Sequence, residues 1–294
     1  MEKYFKPVEA ILPPPPYHMV GDGFRVHNFF PSYNLIGEKG MSPFFLMDYN
    51  SKWTIPPSEK QRGVAVHPHR GFETVTIAYH GAVAHHDSAG NYGVIGEGDV
   101  QWMTAGSGIL HKEYHEKEFS RKGGIFQVVQ MWINLPKEFK MTPPKYQTIE
   151  NSKMTRVYLD DGKSYIELIA GDYYGKKGPA ITFTPVNLFN ARLSTGSVAD
   201  FSFRSNFNTG ILVVEGTVKI NNSQIAPADH FVFFRNERED LRIEALNDSI
   251  ALVLGGEPID EPIASVGPFL MNTEGEIKEA YNDYYNGKFG YLED

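Results

Sequence analysis

Apolar residues fall in short runs along this chain. Those at 73–79, 126–135, 210–215 and 249–254 are rich in Val, Ile, Phe and Tyr and lie between Gly, Asp, Asn or Pro. Runs of that length and composition between turn-forming residues predict strands of a β-sandwich or barrel. Only one segment carries a clear helical period. Thr273 and Glu276 form a T-x-x-E capping box, and Ile277, Ala280, Tyr281 and Tyr284 then recur at i, i+3, i+4 and i+7. The spacing predicts a helix over 274–285, packed on the outside of a β domain. Consecutive prolines at 13–16 predict a stiff, extended surface strap.

The segment 137–150 follows Pro136, holds Pro143 and Pro144 beside Lys137, Lys140 and Lys145, and shows little apolar periodicity. It is the expected linker between an N-terminal barrel over 1–136 and a C-terminal barrel, with the helix, over 151–294. The two parts share a faint repeat. Gly81, Val83 and Ser88 precede Gly98-Asp99 in one, and Gly216, Val218 and Ser223 precede Ala228-Asp229 in the other. The offsets from glycine to valine and to serine agree, whereas the aspartate follows the glycine by 18 residues in the first part and 13 in the second. Each aspartate leads into an apolar strand. Duplication of one β-barrel fits length and pattern together.

Composition narrows the function. With 294 residues the chain has room for about two domains. Its 28 Lys and Arg against 36 Asp and Glu give a net charge of −8, and the pI is near 5.7. That balance argues against direct nucleic-acid binding through phosphate neutralisation. The absence of cysteine excludes disulfides, thiolate zinc sites and cysteine catalysis. No apolar run reaches membrane-spanning length, and the opening Met1-Glu2-Lys3-Tyr4-Phe5-Lys6 lacks the apolar core of a secretory signal, so a cytoplasmic protein is expected.

Nine of the ten histidines precede residue 116, which points to a site in the N-terminal half. In His67-Pro68-His69 the two imidazoles are at i and i+2, the same face of an extended chain, and Pro68 suits a strand end. His111 and Glu113 have the same spacing. Two neighbouring strands would then supply three nitrogens and a carboxylate, a set suited to Fe(II), Mn, Co, Ni or Zn with positions left for substrate. Bland readings stand beside this one. An H-x-H pair is common on surfaces, and an exposed carboxylate is the usual fate of a glutamate. His111 and His115 also have helical i, i+4 spacing, but the H-E-x-x-H glutamate is missing and glycines precede His111. Of His85-His86 at most one imidazole faces inward, and a polar hairpin is the expected role. His18, His27, His80 and His115 are read as ordinary.

The long stretches around these residues resemble the pirin family of the cupin superfamily. They are His67-Pro68-His69-Arg70-Gly71-Phe72-Glu73-Thr74-Val75, the run from Gly98-Asp99-Val100-Gln101-Trp102-Met103 to Gly106-Ser107-Gly108-Ile109-Leu110-His111, Gln130-Met131-Trp132-Ile133-Asn134-Leu135, and Gly255-Gly256-Glu257-Pro258 with Gly267-Pro268-Phe269-Leu270-Met271-Asn272-Thr273. The resemblance implies an all-β chain of two cupin (double-stranded β-helix, jelly-roll) barrels face to face, with one metal, usually iron, in the N-terminal barrel. The family's ligands fall on His67, His69, His111 and Glu113. The general cupin H-x-H-x3-E pattern would use Glu73, which in pirins stands behind the ligands. Arg70 and Gln130 are pocket residues by resemblance only. The departures are a longer stretch at 50–66 and Ser107 where many relatives carry arginine. Carried into the second half, the repeat puts Ser202 and Arg204 where His67 and His69 stand, and Leu241 and Ile243 where His111 and Glu113 stand. The second barrel is therefore expected to lack metal.

The resemblance implies two functions. One is an iron-dependent dioxygenase of the quercetin 2,3-dioxygenase type, with Glu113 as ligand and proton acceptor; the 13% of aromatic residues could line a flat apolar pocket, although aromatics more often serve as core. Its partners are a small aromatic substrate and dioxygen. The other is a non-catalytic, metal-dependent partner of transcription factors or metabolic enzymes. A cupin isomerase or acid-binding barrel shares the fold but not these motifs. No membrane contact is expected, and the chain is expected to be a monomer.

Overall fold

The computed structural model describes residues 4–294; Met1, Glu2 and Lys3 of the opening segment lie outside the described residues. The all-β class holds, with 26 strands against two α-helices among the described residues. None of the described helices is long and apolar enough to cross a membrane.

The chain divides into two compact units. The N-terminal unit comprises residues 16–31, 44–151 and 259–294, and the C-terminal unit residues 4–15, 32–43 and 152–258. Four of the crossings follow a proline (Pro15, Pro31, Pro43 and Pro258), and the first lies inside the polyproline run.

Each unit is a barrel of one seven-stranded and one four-stranded antiparallel sheet, and the two units correspond strand for strand. The N-terminal unit's large sheet runs Lys145–Ile149, Val100–Thr104, Phe72–His80, Gly124–Asn134, Phe44–Ile55, Phe24–Phe30, His18–Val20. Its counterpart runs Val8–Leu12, Phe231–Phe234, Asn208–Glu215, Ser249–Gly256, Val186–Leu193, Tyr165–Ala170, Thr155–Tyr158. The small sheets are Gly63–His69, Ile109–His115, Val83–Asp87, Tyr92–Ile95 and Val198–Ser202, Asp240–Ala245, Thr217–Ile220, Gln224–Pro227. The faint repeat is thus a duplicated cupin barrel.

This partition differs from a linear division with a linker at 137–150. Lys145–Ile149 is an edge strand of the N-terminal unit, Tyr146 opposite Met103 and Thr148 opposite Gln101. Edge strands use Pro and Lys to discourage further pairing, the same residues that mark a linker. The C-terminal residues also belong to the N-terminal unit. There Phe269, Met271, Ile277, Ala280 and Phe289 bury one apolar cluster with Leu110 packed against it. The predicted helix is Glu274–Tyr285, with both capping-box hydrogen bonds formed. The second helix, Lys117–Lys122, is too short to show a period.

The pairing register also corrects the repeat. His67 faces His111 across the strands, and Phe201 faces Leu241. Phe201 and Phe203, rather than Ser202 and Arg204, therefore occupy the His67 and His69 positions. A one-residue slip exchanges the faces of a strand. Ser202 and Arg204 are exposed, while Phe201, Phe203, Leu241 and Ile243 are buried in the core of the C-terminal unit.

Candidate metal centre

Strand alternation builds the site. Along Ile109–His115 the residues at 109, 111, 113 and 115 are buried, so His111 and Glu113 take interior positions where a strand ordinarily places Val or Ile. On the neighbouring strand, Gly63–His69, His67 pairs with His111 and His69 with Ile109. A register shift between His111 and Glu113 re-aims the carboxylate. The ring centroids of His67, His69 and His111 lie 4.2–4.8 Å apart, and one nitrogen from each falls within 4.8 Å of the other two. A second set of ligand atoms under the same limit is His85, His111 and Glu113. His111 joins the two sets. Both lie in the N-terminal unit.

The hydrogen bonds define which nitrogens are open. His67 Nδ1 is 2.8 Å from Ala65 O, and His69 Nδ1 is 3.2 Å from Pro268 O. A carbonyl only accepts, so each Nδ1 carries the proton and each Nε2 presents a lone pair. Burial holds His67 below the ordinary histidine pKa, and His69 and His111 well below it, with neighbouring imidazoles adding to the effect. All three are neutral at pH 7, the form that binds metal. His111 Nε2 is buried with no hydrogen-bond partner among the described residues. Such an orphan costs about 1–3 kcal/mol unless something satisfies it. A divalent ion would do so, and the residues present fit one.

Glu113, 3% exposed, is held from three sides. Its Oε1 accepts from Gln101 Nε2 at 2.9 Å and Thr76 Oγ1 at 3.3 Å, and its Oε2 accepts from Gln130 Nε2 at 2.7 Å. Gln130 thus lies against the Glu113 carboxylate. Beside Glu113 lies a cavity of about 30 Å³ lined by Val20, Phe24, Val26, Asp48 and Gln130 among others. That is room for about one or two water molecules.

Two expected site residues serve elsewhere. Arg70 donates from Nε to Ser107 O and from Nη2 to Asp283, with its guanidinium over the Phe289 ring. It ties the ligand segment to the C-terminal helix and is not a pocket residue. Glu73 accepts from Thr104 Oγ1 at 2.7 Å. Thr76, on the same strand, points to Glu113, so by alternation Glu73 faces the opposite side of the sheet. Glu73 belongs to neither ligand set.

Sequence reasoning read His85 as a hairpin residue, yet it is fully buried beside His111, while His86 turns outward to Tyr114 and Tyr92. The usable signal was the alternation His85-His86-Asp87, which puts an imidazole and a carboxylate on one face. Gln101 and Thr76 carried no signal of their own. His115 is structural, its Nε2 2.9 Å from Gly23 O and its ring against Phe24 and Phe126.

Comparison with known proteins matches residues 23–133 to the pirin family model and 188–290 to that of the pirin C-terminal cupin domain. A Pseudomonas aeruginosa protein named, provisionally, as a quercetin 2,3-dioxygenase is 45% identical over 272 residues, 92% of this chain and 94% of its own length. Arabidopsis thaliana Pirin-1 is 34% identical, covering 92% of this chain and 90% of its own. A crystal structure of quercetin 2,3-dioxygenase from Acinetobacter baumannii superposes with a TM-score of 0.92 at 44% identity, over 99% of this chain and all of that one. The bacterial pirin YhhW from Escherichia coli, crystallised with nickel(II), shares the fold at a TM-score of 0.63 and 21% identity, over 85% of this chain and 99% of its own. Two matched barrels, one carrying the histidine cluster, and relatives that align along nine-tenths of the sequence lead to one assignment: the chain belongs to the pirin family.

Proposed function

We propose that this protein is a metal-dependent dioxygenase of the quercetin 2,3-dioxygenase type, opening a flavonol-like ring with dioxygen and releasing carbon monoxide. The observation that supports the reading is the gathering of the His67, His69 and His111 imidazoles, with Glu113 beside His111, in a chain 45% identical to a protein named for that activity. Fe(II) is the proposed ion; Mn, Ni, Co and Zn suit the same donors. Held by His67, His69, His111 and Glu113, such an ion would lower the pKa of a substrate hydroxyl bound to it. Glu113 is the group placed to take that proton. The Gln101 and Gln130 amides orient its oxygens, and Val20, Phe24 and Val26 keep bulk water from them. Because the cavity is far smaller than a flavonol, substrate entry on this reading displaces some of these apolar side chains.

That small cavity favours a second reading, a metal-binding regulator of a transcription factor or metabolic enzyme. One experiment separates the two: oxygen uptake and carbon monoxide release with quercetin on the Fe(II), Mn(II), Co(II) and Ni(II) forms. Turnover above a His67→Ala background supports the dioxygenase. Its absence with every metal leaves the regulator.

A further inference from the structure

His85 and Asp87 are fully or nearly buried polar groups with no place in the ligand set above. Their hydrogen bonds fix their protons. His85 Nε2 lies 3.1 Å from Asp87 Oδ2. Asp87 also accepts from the Ala89 and Asn91 backbone N–H groups and from Asn91 Nδ2, the environment of a carboxylate acceptor. His85 therefore donates from Nε2, and in a neutral ring its Nδ1 is the lone pair. Gln101 reaches the same result independently. Its amide is oriented by Glu113, which accepts from its Nε2, and by the Tyr146 hydroxyl, which donates to its Oε1. That orientation points Gln101 Nε2–H at His85 Nδ1, 3.4 Å away, and a donor there requires a lone pair.

The remaining neighbour of His85 Nδ1 is His111 Nδ1, at 3.5 Å, the outer limit of a hydrogen bond. Two lone pairs would repel, so His111 carries its proton on Nδ1, and the single His85 Nδ1 lone pair is shared between the Gln101 and His111 N–H groups. The His111 Nε2, the buried atom without a partner among the described residues, then presents the open lone pair. Tyr146 stacks on the His85 ring at 4.8 Å and limits its rotation.

We propose that His85 is a positioning residue for the metal: it accepts the Nδ1–H of His111 and so commits His111 Nε2 to the ion, with Asp87 fixing the tautomer of His85. The proposal rests on His111 being a ligand. It adds that all three histidines bind through Nε2, two oriented by backbone carbonyls and the third by a buried His–Asp pair. Partners behind a ligand typically account for roughly 10- to 100-fold in metal affinity.

The test uses metal uptake and the ring protons themselves. Wild-type protein loaded with Co(II) should show three strongly shifted, exchangeable imidazole N–H resonances. His85→Ala should lose one of them and weaken Co(II) binding roughly 10- to 100-fold with the fold intact by circular dichroism. His85→Gln, whose Oε1 also accepts, should restore both. Long-range 15N–1H spectra of the Zn(II)-loaded wild type give a second measurement that needs no variant: His85 should be the Nε2–H tautomer and His111 the Nδ1–H tautomer. Three unchanged resonances in His85→Ala, or an Nδ1–H tautomer at His85, overturn the proposal while leaving the metal site standing. Failure of the wild type to take up Co(II) or Zn(II) overturns the metal site itself, and the proposal with it.

Discussion

Glu73 offers a test in which stability and metal binding point in opposite directions. Burial raises its carboxyl from the ordinary 4.5 to about 7, the Thr104 hydroxyl only partly offsetting the desolvation. A gap of about 2.5 pH units is worth about 3 kcal/mol. Since the folded pKa is the higher one, the protonated form is favoured in the native state. Its contribution is fully present below pH 4.5, declines as pH rises through the window to about 7, and is gone above it. Between about pH 5 and about pH 8 most of that is lost, about 2 to 3 kcal/mol. Glu73→Gln removes the titration. Urea unfolding of wild type and variant at those two pH values gives a double difference in which other titrating groups and the intrinsic cost of the amide cancel. The wild type should lose about 2 to 3 kcal/mol relative to the variant on going to the higher pH. A double difference below about 0.5 kcal/mol would mean that Glu73 is ionised in the folded protein and the burial argument fails. Metal content of the same variant supplies the other half. Glu73→Gln should keep its full metal complement, because the side chain faces away from Glu113; loss of the ion would show that the H-x-H-x3-E glutamate is a ligand after all.

Four further outcomes are expected. His69→Ala should abolish metal binding by elemental analysis, and a His67→Ala/His111→Ala double variant that keeps its metal would refute the ligand set. Glu113→Gln should lower kcat for quercetin by about 100-fold or more while KM moves little, because a proton acceptor is lost and the new amide faces the Gln130 amide; an unchanged kcat excludes Glu113 as the base. Lys140→Met should destabilise by about 3 kcal/mol or more in urea unfolding, since the buried Nζ donates to Gly71 O, Leu270 O and Asn134 Oδ1 and leaves all three stranded. Gly108→Ala should cost about 2 kcal/mol, because its φ is +128° and a Cβ there would run into the Phe289 ring; a neutral substitution would show that the C-terminal segment is loosely seated.

The barrel strands and the C-terminal helix were legible because period-2 alternation, turn residues and a capping box are local signals. His67, His69, His111 and Glu113 were legible for the same reason: spacing of two puts each pair on one strand face. What was not legible is long-range. Nothing local tells an edge strand that starts at Lys145, straight after Pro143 and Pro144, from a linker, and the pairing of Lys145–Ile149 with Val100–Thr104 is fixed by the rest of the sheet. Arg70 sits beside a ligand in sequence, but its partner Asp283 is 213 residues away. The repeat register slipped by one residue because glycine and serine anchors in hairpins do not specify which face the neighbouring strand buries. Phe201 and Phe203 did carry that information, as the apolar members of an alternating strand.

Duplication makes the energetic cost of the centre visible. At matched positions one barrel buries Phe201, Phe203 and Leu241, and the other buries His69 and His111 and half-buries His67. The aromatic and aliphatic set gains about 2 kcal/mol per side chain from burial. The imidazoles gain less, and without an ion they leave at least one nitrogen unsatisfied. The N-terminal unit should therefore be the weaker packer around its own ligands, and the extra structure lies next to that weak point. The Arg70–Asp283 ion pair, the three acceptors around Lys140 and the Phe289 ring against Gly108 all fasten the segments flanking His69 and His111 to the C-terminal residues. The equivalent strands of the C-terminal unit close over a continuous apolar cluster. Residues 259–294 thus act as a buttress for strands whose interior has been given over to metal ligands. This accounts for their folding onto the first barrel although they follow the second in sequence.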